Sequence, residues 1–577
     1  MGHLMQRYLL LVVLALSLPT FAQGNSTKKV RHEPSEQAER AGSAINWRTD
    51  LEAALSESKT SGKAVFWYVP DVHKSFVDRG PEVDRKMRSG PFSWPRFIEL
   101  LNEHYVPVKA IASKELGERY DVRRDHFLPP GIVLLQDGAV TASFDELSTH
   151  HPAWYHARFE APLGLEREWR SARITATETP DAAESLYLAG VDAGDVQRVG
   201  AWRRLMKEHP DHPLAFKVAM ELEGHGPLLR GQEVYGELPE AALAFSGRGT
   251  RAPLGAYSEE ELWLRSVRFL VDVQSTSGAY RDSIYDFGGT DSLRHVFGAV
   301  TSLAMIALTE GSSRVKHPEL PDARDAARRF ALEVATNPDA DLDERIWAQM
   351  YCLRALLETD PSDADGQAQA LVELLLAEQL ESGAWRHEYP SNFVTADVLI
   401  ALAFAKRHGL EIPDEAKVVE PALAAILRCR APDGGYSYYL TREGRKPRAS
   451  IQGSVGRAPR CELALALWGS PEARDLETTV ALSFEHEGPL LEIQKLDDHG
   501  PKFAYGGFFF WWDLHARTEA ICALPAGKAR TEFARRQREQ IVGLAEIDGC
   551  FVDSHEVGRA YGTSMALWCL ALLDRLP

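Results

Sequence analysis

Apolar positions in the C-terminal half of the chain recur in a pattern that predicts paired helices. A short turn, Ser382-Gly383-Ala384-Trp385, precedes a run from Thr395 to Ala405 that is rich in alanine and leucine. The same order of glycine, aromatic residue and apolar helix returns along the chain. Its copies begin at Ser277, Ser382, Asp433, His499 and Asp548. Because a helical hairpin cannot bury its own apolar face alone, such repeats must stack on one another.

The spacing of the turns predicts how many units there are. The turn glycines lie 51, 66 and 49 residues apart, after a first interval of 105 residues, which is about two ordinary intervals. The runs Asp322 to Thr336 and Asp343 to Leu357 supply the helix pair of a unit without its glycine. The last inner helix, Ser564 to Leu573, is apolar nearly all round and needs neighbours on both sides. Six pairs closed into a ring meet this need, so we expect an (α/α)6 toroid over residues 255–577.

The turn that runs from Gln379 to Trp385 places a glutamine four residues before the glycine. In this it resembles the repeats of squalene cyclases and protein prenyltransferase β subunits, and the resemblance covers roughly residues 255–577. It implies a terpenoid cyclase/prenyltransferase-like α/α toroid. It does not by itself imply an activity, because function depends on the site and not on the repeat.

The N-terminal half has a different pattern. Lys63 to Val69 is a continuous apolar run typical of a buried strand, and further strands are predicted at Tyr105 to Ile111 and Leu128 to Gln136. With the helices between them, this order resembles the thioredoxin fold, and Pro130 falls where that family carries its cis-proline. The segment 45–160 contains no cysteine, so thiol–disulfide exchange is excluded. We therefore expect a multidomain chain with a thioredoxin-like α/β domain at 45–160, a short helical, tetratricopeptide-like connector at 161–254, and the toroid.

The first residues indicate an exported protein. Met1 to Ala22 combines a positive end, a short apolar run and a small-residue cleavage site, as a signal peptide does. Residues 23–44 are polar without an apolar period, which predicts a disordered tether. We expect a soluble bacterial protein of the periplasm or the extracellular space, without a membrane anchor. The net charge of −18 argues against a nucleic-acid partner, and neither disulfide connectivity nor oligomeric state follows from the sequence.

A metal site is the first candidate for chemistry. In protein prenyltransferases an Asp-x-Cys at a Gly-aromatic turn and a later histidine bind zinc, and the resemblance points to Asp548, Cys550 and His295. These ligand types with an open fourth position would suit catalytic zinc. The alternative is that position 550 is simply the variable residue of every turn. In addition, the order of the ligands along this chain is shifted relative to the family, in which the histidine follows the Asp-x-Cys. Apart from this zinc hypothesis, the sequence leaves the cofactor unknown.

A catalytic acid is the second candidate. Asp341-Leu342-Asp343-Glu344 approximates the Asp-x-Asp-Asp motif of class II terpenoid cyclases, in which the middle aspartate, here Asp343, protonates an alkene. Burial beside like charges would keep such a carboxyl protonated. The alternative is an ordinary acidic helix N-terminus, which the helix dipole favours.

The third candidate is the stretch from Phe503 to Arg517, which includes five consecutive aromatic residues. It enters an inner helix, so we expect its side chains at one mouth of the toroid, where they could bind a ligand or transfer protons. The predicted cavity residues are Tyr505, Phe508, Trp511, Trp512, Asp513, His515 and Arg517, and the catalytic candidates are Asp343, Asp513, His515 and Arg517. The alternative is that the rings fill gaps between helices while Asp513 pairs with Arg517.

Two functions remain open. The first is an exported, non-redox binding or scaffold protein whose toroid holds an apolar or extended ligand, a small molecule or a glycan. The second is an enzyme of the toroid, either a terpenoid cyclase or prenyltransferase relative or a carbohydrate-active (α/α)6 enzyme. The first is favoured, since no complete catalytic motif is present in either domain.

Overall fold

The computed structural model describes residues 40–70, 82–122, 131–144, 155–165, 181–191, 195–212, 214–215, 218, 257–275, 277–285, 292–337, 344–359, 366–492, 510–546, 548–553 and 557–577. Within these ranges no helix combines the length and the hydropathy needed to cross a bilayer. The predicted signal peptide, most of the predicted tether, Pro130 and the turn at Gly500 lie outside them.

The N-terminal part is built on one four-stranded sheet. Its strands are β1 (Ala64–Val69), β2 (Tyr105–Lys109), β3 (Gly131–Gln136) and β4 (Ala139–Phe144). Their spatial order is β2-β1-β3-β4, with β1 parallel to β2 and antiparallel to β3. β3 and β4 form a hairpin whose turn residues, Asp137 and Gly138, both have positive φ. Such an Asp-Gly turn matches the twist of the flanking strands.

Helices cover both faces of this sheet. The helices are α1 (Leu51–Ser61), α2 (Glu82–Ser89), α3 (Pro95–His104) and α4 (Lys114–Tyr120). Since alternate residues of β1 point to opposite faces, Phe66 packs in a core with Phe97 and Ile98 of α3. Trp67 packs in a second core with Leu55 of α1. The continuous apolar run of the sequence is therefore explained by a strand buried on both sides.

A pair of contacting helices follows, α5 (Ala182–Val191) and α6 (Asp195–Glu208). Its small core contains Tyr187 stacked on Trp202 at 5.9 Å between ring centroids, and the Trp202 indole donates to the Tyr187 carbonyl.

The C-terminal part consists of alternating outer and inner helices. The outer helices are α7 (Glu259–Val273), α9 (Leu320–Ala335), α11 (Gln367–Ala377), α13 (Glu415–Arg428), α15 (Leu476–Glu485) and α18 (Lys528–Val542). The inner helices are α8 (Arg294–Gly311), α10 (Arg345–Thr359), α12 (Asn392–Arg407), α14 (Arg457–Leu467), α17 (Phe510–Ala523) and α19 (Gly558–Asp574). A two-residue hairpin, β5 (Arg386–His387) and β6 (Tyr389–Pro390), precedes α12, and a short helix α16 (Gly488–Glu492) follows α15.

The inner helices form a closed ring. In the described part of the chain each of them contacts the next, in the order α8, α10, α12, α14, α17 and α19, and α19 returns to contact α8. Every residue of α19 from Gly558 to Leu573 is buried. A helix that is apolar all round is thus covered by its two ring neighbours and by outer helices.

The repeated turn has a recurring set of hydrogen bonds that explains its sequence. The side-chain amide of Gln379 donates to the carbonyl of Gly383 and to Val418 of the next outer helix, at 2.9 and 2.8 Å. Gln274 makes the equivalent pair of bonds at the Gly278 turn, two helix pairs earlier. Gly383 has φ 82° and packs against the backbone of Pro421, so a Cβ there would be both strained and obstructed. At these two turns the glutamine and the glycine therefore fasten the turn to the neighbouring unit.

Candidate binding cavity and buried charge cluster

A cavity of about 50 Å³ lies inside the ring, at the N-terminal part of several inner helices. Its wall is almost wholly apolar. It consists of Tyr285, Val296, Ala299, Val300, Leu303, Glu344, Trp347, Tyr351, Trp512, Val557 and Tyr561. Glu344 is the one acidic side chain among these described wall residues. The space holds a few water-sized groups, and its chemistry favours an apolar one.

The aromatic wall is fixed by packing within and between helices. Trp347 and Tyr351 lie one turn apart on α10 and stack with ring centroids 5.9 Å apart. Trp512 of α17 meets Phe393 of α12 edge-on at 5.8 Å. Such an edge-to-face pair favours one orientation of the Trp512 ring.

Beside the cavity lies a group of buried ionisable side chains, here called the charge cluster: Arg354, Asp397, Arg460, His515 and Glu519. The Glu519 carboxylate accepts hydrogen bonds from Arg354, at 2.7 Å, and from Arg460. Arg460 Nε lies 3.0 Å from Asp397 Oδ1. The arginines also lie against aromatic rings, Arg354 over Phe404 at 4.1 Å. Burying charges is tolerated only when each is paired in this way.

Burial and pairing shift the pKa values of the cluster in different directions. Burial raises the pKa of Asp397 to about 6, although Arg460 and the Trp512 indole oppose the shift. Burial lowers the pKa of His515 to about 3. For Glu519, burial alone would raise the pKa, but Arg354 and the other neighbouring cations lower it below its usual range.

The hydrogen bonds of His515 agree with a neutral ring. Its Nδ1 lies 2.8 Å from Nη2 of Arg460, which can only donate, so Nδ1 accepts and Nε2 carries the hydrogen. The imidazole also packs on Trp568 with centroids 4.0 Å apart. A neutral His515 leaves Arg354 and Arg460 as the cations that hold Glu519.

Trp512 joins the cavity to the charge cluster. Its ring lines the cavity, and its Nε1 donates to Asp397 Oδ2 at 2.7 Å. Tyr351 also lines the cavity, and the carboxylates of Asp397 and Glu519 help to raise its pKa after burial itself. The charge cluster is therefore adjacent to one wall of the cavity.

The structure separates the other residues of the predicted aromatic stretch. Trp511 points away from the cavity, meets Phe551 edge-on at 5.3 Å, and donates to the Val552 carbonyl. Arg517 faces the outer helices, where it contacts Gln537, Gln540 and Glu487. Asp513 is buried beside Gly456.

Three further candidates lie outside the described residues, namely Asp343, Tyr505 and Phe508. The residue after Asp343 is Glu344, which is described and lies in the cavity wall.

The predicted zinc ligands have other partners. Asp548 pairs with Arg559, and its second oxygen accepts from the backbone N–H of Cys550 at 3.2 Å. Burial raises the pKa of the Cys550 thiol well above its usual value. His295 is buried in α8. Among the described residues, the ligand atoms of these three do not lie close enough together to form a metal-binding group. Zinc at His295, Asp548 and Cys550 stays a prediction.

A different group of described residues does have its ligand atoms close together. It consists of Glu344, His387 and Glu388.

Sequence reasoning named His515 but missed the other four members of the charge cluster, although a signal was present for two of them. Arg354 and Asp397 each interrupt a long apolar run of an inner helix, Arg354 within Cys352 to Leu357 and Asp397 within Phe393 to Ala405. In a helix that is buried all round, a charged residue must find a partner inside the ring. That rule selects both residues without knowledge of the structure.

No protein-family model matches the sequence, and no curated protein matches it. Among solved structures, the chain is similar to an inactive variant of the alpha-1,6-mannanase GH76A of Salegentibacter sp. HEL1_6, in complex with alpha-1,6-mannotetrose. The identity is 13%, the TM-score 0.37, and the match covers 55% of this chain and 100% of that one. The chain is also similar to the type II terpene cyclase MstE from Scytonema without ligand, at 14% identity and a TM-score of 0.33, over 54% of this chain and 97% of that one. Likenesses at these TM-scores do not bear on fold or activity, and the proposals below rest on the chain's own residues.

Proposed function

We propose that the chain is an exported, non-redox binding protein whose helical ring holds an apolar ligand. The proposed organisation is a signal peptide at 1–22, a tether at 23–44, a thioredoxin-like domain at 45–160, a helical connector at 161–254 and an (α/α)6 toroid at 255–577. The strand order β2-β1-β3-β4 supports the thioredoxin-like domain. The contacts from α8 round to α19 and back support the toroid. The lack of cysteine in 45–160 supports a role other than disulfide exchange.

The observation that carries the binding function is the composition of the cavity wall. Aromatic and aliphatic side chains surround the space, with Glu344 as its one carboxylate among the described residues. A glycan would need a polar partner for each hydroxyl that it buries, at a cost of about 1–3 kcal/mol for each one left unsatisfied. An apolar chain needs none. The cavity is small, so the ligand we propose inserts the end of an apolar chain and leaves its remainder at the mouth.

The experiment is a titration of the purified full chain, followed by tryptophan fluorescence, since Trp347 and Trp512 line the cavity. Dodecanol serves as the apolar probe and maltotetraose as the glycan probe. We expect dodecanol to change the emission and maltotetraose to leave it unchanged. Binding of maltotetraose without binding of dodecanol would refute the proposed ligand class.

A matched pair of variants locates the binding. Ala299→Leu places a larger side chain in the cavity wall, whereas Ala403 on α12 is buried to the same degree, 6% exposed against 7%, but does not belong to that wall. We expect Ala299→Leu to weaken dodecanol binding at least tenfold and Ala403→Leu to leave the affinity of the folded protein unchanged. Equal affinities of both variants for dodecanol would show that the ligand binds outside this cavity.

A second candidate function is catalysis on the bound chain, and the buried carboxyl of Glu344 in the cavity wall favours it. An acid in an apolar site can protonate a ligand that water does not reach. The test is mass spectrometry of an apolar alkene after incubation with the protein and with Glu344→Gln. Conversion of the alkene that Glu344→Gln abolishes would support an enzyme. If the alkene is unchanged, catalysis is refuted and only the binding function stands.

A further inference from the structure

We propose that Glu344, His387 and Glu388 form a binding site for a divalent transition-metal ion of the zinc type, here called the Glu-His-Glu site. Each of the three offers one ligand atom, and these atoms all lie within 4.8 Å of one another. The imidazole of His387 is fully buried and Glu344 is 3% exposed. The site differs from the zinc site that the sequence suggests, and it shares no residue with it.

Two local structures bring the ligands together. Glu344 directly precedes α10, and its carbonyl accepts from the backbone N–H groups of Trp347 and Ala348. His387 and Glu388 lie in the β5–β6 hairpin, which pairs His387 with Tyr389. The Trp347 ring meets the His387 ring edge-on at 5.6 Å and fixes its plane. The hairpin lies between the Gly383 turn and α12. The repeat itself therefore places His387 and Glu388 just before an inner helix.

The spacing of the donors suits coordination better than a direct hydrogen bond. His387 Nδ1 and Glu344 Oε2 are 3.5 Å apart, beyond the roughly 2.7–3.2 Å of a good N–H···O bond. Two ligands on a tetrahedral ion with bonds of about 2.0–2.2 Å lie about 3.3–3.6 Å from each other. The observed separation falls within that range. Small side-chain movements would bring the third donor, Glu388, to the same distance.

The donor chemistry selects the class of ion. One imidazole nitrogen and two carboxylate oxygens suit zinc and its first-row neighbours, whereas calcium and magnesium prefer oxygen ligands throughout. The two carboxylates balance the charge of a divalent ion, which matters in a buried setting. Three protein ligands leave a position open. Since Glu344 also lines the cavity, that open position would adjoin whatever the cavity holds.

The experiment uses the metal alone, so its outcome is independent of the proposed apolar ligand. Purified full chain is stripped with a chelator and titrated with Zn²⁺, and the bound metal is counted by elemental mass spectrometry. A parallel titration with Co²⁺ reports imidazole ligation through its visible absorption. We expect one equivalent of Zn²⁺ in the wild type, its loss in His387→Ala, and at least 100-fold weaker binding in Glu344→Gln, which exceeds the effect of removing an outer-shell partner.

The matched control is His486→Ala. His486 also lies beside a glutamate, Glu485, at 3.9 Å, but on the partly exposed end of α15. We expect this variant to retain the full equivalent and the Co²⁺ spectrum. Equal losses in His486→Ala and His387→Ala would place the metal at surface histidines and overturn the proposal.

Glu388→Gly covers the case in which His387→Ala fails to fold. Glu388 is half-buried and has φ 55°, a conformation that glycine adopts without strain. We therefore expect Glu388→Gly to keep or raise the melting temperature of the metal-free protein while it loses the bound metal. A wild type that binds no stoichiometric Zn²⁺, or a Glu388→Gly variant that binds it as the wild type does, would refute the site.

Discussion

The interior of the helical ring contains two adjoining regions of opposite chemistry. The cavity is walled by aromatic and aliphatic side chains. The charge cluster next to it buries two arginines, two carboxylates and a histidine. Both regions draw on the same helices: on α10, Tyr351 lines the cavity and Arg354, three residues later, binds Glu519.

The difference between the regions lies in how each is held together. The residues of the charge cluster come from α10, α12, α14 and α17, and their ion pairs connect these four inner helices across the ring. The cavity wall depends on non-directional packing, which tolerates changes of shape. Ion pairs in a buried site tolerate none, because the loss of one partner leaves a charge without compensation. We infer that the charge cluster sets the geometry of the ring and that the cavity is the part free to bind.

The largest effect that we expect comes from Arg460→Leu. This change removes the cation shared by Asp397 and Glu519 and leaves buried carboxylates without it. We expect a loss of about 3–5 kcal/mol in the free energy of unfolding, measured by urea denaturation. The matched control is Arg535→Leu, which removes an arginine paired with exposed Glu532 and Glu539 and should have little effect, because solvent screens exposed ion pairs. Similar losses in both variants would mean that the charge cluster does not hold the ring.

The second effect concerns Trp512, which belongs to both regions. Trp512→Phe removes a hydrogen bond to the buried Asp397 carboxylate, worth about 1.5–3 kcal/mol as a bond to a charged group. Its neighbour Trp511 donates instead to a neutral carbonyl, that of Val552, so Trp511→Phe should cost about 1 kcal/mol for its bond. Both changes remove the same atoms from buried positions. The measurement is urea denaturation of both variants. Equal losses in the free energy of unfolding would show that the hydrogen bond between Trp512 and Asp397 adds no more stability than an ordinary buried bond.

The third effect is a pH dependence that originates in His515. Its pKa of about 3 in the folded protein lies below the ordinary value of 6.5, so the unfolded chain binds the proton first as the pH falls. The contribution of His515 is fully present above pH 6.5 and is lost progressively toward pH 3. Asp397, with its pKa raised to about 6, acts in the opposite direction: it destabilises the fold above pH 6, and this cost disappears as the pH falls toward 3.8.

The variant His515→Gln separates these two opposing contributions. Relative to the variant, the wild type should lose about 2 kcal/mol of unfolding free energy between pH 8 and pH 5, since each pH unit below the unfolded pKa corresponds to about 1.4 kcal/mol. Glutamine can still accept a hydrogen bond from Arg460. The measurement is urea denaturation of both proteins across that range. A constant difference between them would show that His515 titrates normally in the folded protein.

The ring could be predicted from the sequence because its signals are local. The described turn glycines have positive φ, and at the Gly278 and Gly383 turns a glutamine four residues earlier bonds to the backbone of the turn and of the next outer helix. Both roles depend on contacts within or next to the repeat. The apolar pattern of each inner helix likewise follows from its burial. Whether Asp548 and Cys550 bind metal is a different kind of question, since it depends on which distant residues reach them.

The site could be predicted only in part, for the same physical reason. Trp511 and Trp512 are neighbours in the sequence, and both are apolar aromatics, yet the rotation of α17 turns one to the last repeat and the other to the cavity. That rotation is set by packing across the ring, which no local pattern encodes. The meeting of Glu344 with His387 depends equally on how two successive repeats are placed.

The smallest effect on stability is expected in the cavity itself, from Ala299→Leu. The added side chain enters existing space, so burial of extra apolar surface offsets the strain of fitting it, and we expect the free energy of unfolding to change by less than about 1 kcal/mol. Ala403→Leu adds the same atoms at a buried position of α12 outside the cavity wall, where overpacking should cost about 1–3 kcal/mol. Urea denaturation of the two variants compares a region with space against one without. If Ala299→Leu were the more destabilising of the two, the cavity wall would be as intolerant as the charge cluster, and the contrast between a fixed and an adaptable half of the ring would fail.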